Sequence, residues 1–292
     1  MRPPYPAEIP PLLAQFLTRR RAKLDHPQRA AAALGIDRAA FILATALPVT
    51  APDGATADDL ASPYAVQRDA QRGALAAAKE AGLVEEEGGM YRATGRAVEH
   101  AKTLQRAAHA HLATLEPIPG EELTRLADRL EQAFQASAAA APTVPRAHTP
   151  RAFRFREGSG TGSPMVVLEN AVYGLWMVRD DCHVAAWLSR GLAGPDLDVL
   201  TRLWRAEADT PAALAERLGH SGTAHVERSL ATLRTGGLVE PAACALTSRG
   251  RSLRDAVERE TDELFFSPWP LDVGADAGWI QRRLAEVNAA LV

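Results

Sequence analysis

Two stretches of the chain carry one pattern of apolar and polar positions. Leu75 to Glu85 reads LAAAKEAGLVE, and Leu230 to Glu240 reads LATLRTGGLVE, an offset of 155 residues. In each, apolar residues at helical spacing mark the buried face of a helix end. Gly82 or Gly237 then stops the helix, as glycine does at a C-terminal cap. Leu83-Val84 or Leu238-Val239 opens a short strand.

The correspondence extends both ways. Downstream, Thr94-Gly95-Arg96 matches the region Thr247 to Arg251, and each leads into a long helix, from about Arg96 to Leu115 and from about Arg251 to Phe266. Both helices stop at proline pairs, Pro117/Pro119 and Pro268/Pro270, because proline cannot continue a helix. An amphipathic helix follows in each half, from Glu121 and from Gly278. Upstream, Ile36 to Leu47 corresponds to Gly194 to Trp204, with Asp37 or Asp196 placed to cap the helix start. A further helix precedes each, from Pro11 to about Arg29 and from Val167 to about Arg190. Each half therefore reads helix, helix, helix-turn-helix, two-strand wing, long helix, helix. The predicted fold is mainly α with small β-hairpin wings (α+β), divided as residues 1–135, a linker at 136–164 rich in Ala, Pro, Gly and Ser, and residues 165–292. The linker has room for a short strand at Phe153 to Phe155.

This order of elements, twice in one chain, resembles the MarR-type winged-helix family. The resemblance implies two tandem winged-helix units forming an intramolecular pseudo-dimer. Their outer helices would form the shared base, and the central helix-turn-helix and wing of each unit would reach DNA. It also implies a fused dimer with two-fold geometry, without self-association.

In the first half the helix-turn-helix spans about Ala57 to Ala81. Its reading helix starts near Pro63 and carries Gln67, Arg68, Gln71 and Arg72. Arginine pairs with guanine edges and glutamine with adenine edges in the major groove, and Arg68 and Arg72 share one helical face. In the second half Pro211 to Gly219 supports a reading helix from Thr223 to Thr235 that presents His225 and Arg228, with Ser221 and Thr223 at its start as phosphate donors. The same residues also suit ordinary solvated helix surfaces. The wings oppose strong binding: Glu85, Glu86 and Glu87 crowd the first, where Arg92 is the only base, and EPAACAL is short and has no basic tip. Basic residues from Arg146 to Arg156 suit either a solvated linker or a phosphate contact.

The bulk composition adds limits. A net charge of -3 means that any phosphate contact comes from a local patch. With only Cys182 and Cys244, neither a disulfide framework nor a cysteine-rich zinc site is available. His100, His109 and His111 lack the carboxylates of a metal site, so no metal or cofactor is expected. Cys182 reads either as a small buried residue or as a redox-sensing thiol. No common catalytic signature occurs, so no enzyme is expected. Without a signal peptide or an apolar run of membrane length, the expectation is a cytoplasmic protein. The leading reading is a DNA-binding transcriptional regulator whose partner is double-stranded DNA, with a small-molecule effector or oxidant as the responsive input. The alternative is a ligand-binding or protein-interaction module on a winged-helix scaffold that has lost DNA affinity.

Overall fold

A computed structural model describes residues 5–60, 68–157, 162–218 and 222–291. The first half comprises helices α1 (Ile9–Arg19), α2 (His26–Ala33) and α3 (Arg38–Thr50), strand β1 (Ala55–Thr56), α4 (Ala57–Leu60), α5 (Arg68–Glu80), β2 (Val84–Glu87), β3 (Met90–Ala93), α6 (Gly95–Leu112) and α7 (Gly120–Ala139). Next comes α8 (Thr149–Arg156). The second half comprises α9 (Pro164–Leu188), α10 (Gly194–Trp204), α11 (Pro211–Leu218), α12 (Thr223–Thr235), α13 (Ser248–Phe266), α14 (Leu271–Ala275) and α15 (Ala277–Ala290). Among the described residues the protein is mainly helical with one small antiparallel sheet, as the α+β reading expected.

The junction between reading helix and wing is built from the same bonds in both halves. Gly82 and Gly237 take left-handed φ values of 70° and 68°, which cost glycine little because it has no Cβ. Leu83 N–H donates to Ala78 O at 2.9 Å, and Leu238 N–H to Leu233 O at 2.9 Å. Thr94 N–H returns to Leu83 O at 3.0 Å, and Thr247 N–H to Leu238 O at 3.1 Å. Thr94 and Thr247 then cap α6 and α13 by accepting from Ala97 N–H and Gly250 N–H. Leu83 and Leu238 are buried beneath this corner, and burying such a side chain stabilises by about 1.5–3 kcal/mol.

The wings differ. In the first, β2 and β3 form a hairpin around Gly88-Gly89, both at positive φ, and β1 pairs with the far side of β3. The second is reduced to a single bridge, Val239 with Leu246, so the expected two-strand wing is absent there. Its segment contains Pro241, which has no N–H to donate to a ladder, and lacks the alternation that would bury one face.

Three other expectations are corrected. The helix expected from Pro11 to about Arg29 is two helices, because Pro27 fits only in a first helical turn, where its missing N–H costs no bond. Asp37 caps α3, accepting from Ala40 N–H at 2.7 Å, but Asp196 lies inside the first turn of α10 and accepts from Ser229 on α12. Phe153 to Phe155 is helical, within α8. Its start is set by a distant side chain: Asp181 of α9 accepts from the N–H groups of Ala147, His148 and Thr149 at 3.0, 2.8 and 2.9 Å.

Three of the linker arginines, Arg146, Arg154 and Arg156, are structural. Arg146 donates to the carbonyls of Ser137, Ala138 and Ala140 where α7 ends. Arg156 makes two bonds to Glu131, and Arg154 donates to Val49 O.

Among the described residues, three apolar cores result. One lies under the first helix-turn-helix, around Phe41, Leu47, Leu83 and Val84. One lies under the second, around Leu200, Leu214, Val226 and Leu230. The largest draws on both halves, from Ile9 and Phe134 to Trp269 and Leu284. In it α1 packs on α15 and α7 packs on α9, so the outer helices of each half meet those of the other. Gly174 lets α9 approach the Phe134 ring on α7, where a Cβ would sit 2.5 Å from a ring carbon. Among the described residues no single helix is long and apolar enough to cross a membrane.

Candidate nucleic-acid interface

In the first half α5 packs beside α4 and against β2 of the hairpin. Gln67 lies outside the described residues, and Arg68 opens α5 with its side chain outside them. Gln71 is half-buried and Arg72 exposed. Asp58 on α4 stands 3.8 Å from the Arg72 guanidinium. In the last turn of α5, Lys79 pairs with Glu86 of β2 at 2.8 Å, and this bond raises the lysine pKa and lowers that of the glutamate. Arg92 lies on β3, donates to Asp53 O at 3.0 Å and stands 3.8 Å from Glu87. It is thus held across the sheet edge beside β1. The carboxylates that engage these cations were visible in the sequence as acidic neighbours, but their pairing depends on the fold.

In the second unit Ser221 lies outside the described residues, and Thr223 is exposed at the start of α12. Arg228 is exposed, and its guanidinium meets His225 Nδ1 at 2.9 Å. These two predicted residues are brought together one turn apart. Arg234 reaches back to Glu240 O at 3.2 Å, fixing the wing base.

Sequence reasoning missed a buried ionic cluster in the shared base. Glu169 of α9 is fully buried and accepts from Arg20 at 2.5 Å and from Arg21 at 2.6 and 2.8 Å. Burial pushes its pKa up, but the bonds and charges of Arg21 and Arg20 outweigh that and hold it below the usual carboxylate range. His109 Nε2 lies 3.9 Å away. The signal was present: Glu169 is the lone charge in the largely apolar run from Met165 to Val178.

Cys182 is buried, and burial drives its thiol pKa up to about 12, which suppresses the reactive thiolate. Beside it lies a cavity of about 60 Å³ lined by Arg146, Thr149, Asp181 and Leu264 among others. Among the described residues no group of three or more His, Cys, Asp or Glu side chains could hold a metal ion.

A family model described as a helix-turn-helix family matches residues 90–292. The chain belongs to this helix-turn-helix family. Its matched span contains the second helix-turn-helix whole, α11 and α12, and takes in the first half only from β3 onward. No curated protein matches the chain, and no solved structure does.

Proposed function

We propose that this helix-turn-helix protein is a DNA-binding transcriptional regulator built as a single-chain pseudo-dimer of two MarR-type winged-helix units. The observation that carries the reading is the repeated junction, in which Gly82, Leu83 and Thr94 make the bonds that Gly237, Leu238 and Thr247 make again. The reciprocal packing of α1 on α15 and α7 on α9 supports a shared base, since a two-fold interface joins like elements crosswise. Such a regulator works in the cytoplasm. The cavity beside Cys182, at about 60 Å³, is too small for a drug-sized effector, which needs about 300 Å³ or more.

Selection of fragments from random duplex DNA, followed by titration at rising salt, tests the reading. The expected result is retention of a subset of sequences with affinity that falls steeply as salt rises, through counterion release. Absence of any salt-sensitive retention refutes it. The acidic, internally paired face of the first unit favours a second reading, an interaction module without DNA affinity, and the same titration separates the two.

A further inference from the structure

We infer that duplex DNA is held by the second winged-helix unit alone, and that the equivalent face of the first unit is closed to DNA by its own carboxylates. The inference rests on the DNA-binding reading above and assigns its work within the molecule.

Charge separates the two faces. From the supporting helix to the end of the wing, residues 57–93 carry seven acidic and four basic side chains, a net of −3. The equivalent residues 211–246 carry three of each, a net of zero. Duplex DNA presents one negative charge per roughly 1.7 Å of its axis, so a face with surplus carboxylate is repelled along its whole length.

Pairing sharpens the difference. Lys79 is bound to Glu86, Arg72 faces Asp58, and Arg92 lies between Asp53 O and Glu87. To take a phosphate, each cation must give up its partner and leave that carboxylate facing the duplex. Arg228 in the second unit has the imidazole of His225 beside it at 2.9 Å, where Arg72 has a carboxylate. Glu227 precedes it, about 100° around the helix. The second wing is also reduced to one bridge with one carboxylate, Glu240, so α12 is not flanked by an acidic hairpin.

The family match falls the same way. Residues 90–292 enclose α11 and α12 and begin after α4 and α5 have ended. The helix-turn-helix that the match contains in full is the second.

The test uses the full chain and the duplexes that the wild-type protein selects from random DNA, read by fluorescence anisotropy. Arg228→Glu is expected to weaken binding about tenfold or more, the scale of a lost major-groove contact, while Arg72→Glu changes it by less than about twofold. Replacing Glu85, Glu86 and Glu87 together by Gln is expected to tighten binding and steepen its salt dependence, because Lys79 and Arg92 are released toward phosphate. Circular dichroism melts establish that each variant is folded, and Arg228→Gln replaces Arg228→Glu if the latter melts early. A loss at Arg72 equal to or larger than that at Arg228 overturns the inference and leaves the DNA-binding reading standing. Unchanged affinity in the triple Gln variant overturns the closure by carboxylates. A wild-type chain that shows no salt-sensitive binding overturns both readings.

Discussion

The Thr94 hydroxyl donates to the Gly82 carbonyl at 2.9 Å and so ties the start of α6 to the end of α5 across the wing. Thr247 does the same to Gly237 at 2.7 Å. Each threonine serves twice, since its oxygen also accepts from the first turn of the following helix. Thr94→Ala and Thr247→Ala are therefore expected to cost about 0.5–2 kcal/mol each, the range of a lost N-cap. Their effects should add, because the two corners lie in separate cores. Urea denaturation of both single variants and the double variant measures this. A double variant no less stable than either single would refute the equivalence of the two corners.

That equivalence was legible in the sequence because it is local. Glycine caps, a Leu-Val strand start and a Thr cap all lie within a few residues of one another. What was not legible depended on partners far along the chain. The α8 helix looked like a strand because Phe153 and Phe155 alternate, and the side chain that caps it, Asp181, comes from α9. Arg146, Arg154 and Arg156 read as a loose basic run, yet they bond to α7 and to Val49 O. At the candidate DNA face, Arg72 and Arg228 were legible as exposed helix cations. The difference between them was not, because it lies in whether Asp58 or His225 stands opposite.

Glu169 joins the two halves through Arg20 and Arg21 at a position with no solvent access. Removing its charge leaves two cations without their counter-charge, and breaking a buried pair in this way costs about 3–5 kcal/mol. Glu169→Gln is expected to lose stability on that scale at neutral pH. The folded carboxyl titrates below its unfolded value of 4.5, so its contribution is present above that pH and lost as pH falls below it. The difference between wild type and Glu169→Gln should therefore shrink in acid. Denaturant midpoints that coincide at neutral pH would rule out a stabilising role for the cluster.

Asp180 and His183 lie one turn apart on α9 and titrate with opposite consequences. Burial drives His183 down to about 4, while Asp180 is driven by burial up to about 6 against the charges of His148 and Arg179. As pH falls from 6.5, unfolded histidine takes a proton that folded His183 refuses, which removes up to about 3 kcal/mol by pH 4. Over the same range, folded Asp180 takes a proton before its unfolded counterpart does, which adds up to about 3 kcal/mol. The two slopes are expected to offset in the wild type. Asp180→Asn should make stability fall toward acid, and His183→Gln should make it rise. Stability of the three proteins measured from about pH 6.5 to 4.5 tests this, and three parallel profiles would exclude it.

The two cysteines should differ sharply in reactivity. Cys182 is packed in the shared base, and its thiol pKa near 12 leaves almost no thiolate at neutral pH. Cys244 lies in the short second wing and is half-exposed. A maleimide reagent acts through the thiolate and needs access to it. In native buffer it should modify Cys244 within minutes and spare Cys182, and both should react once urea unfolds the base. Peptide mapping after timed quenching distinguishes the sites. Equal native rates at both would mean that the base opens far more readily than its packing implies, and would return Cys182 to consideration as a sensor of oxidants. If instead Cys182 reacts only on unfolding, an oxidant signal has to enter at the second wing, where Cys244 sits between α12 and α13 of the unit assigned to DNA.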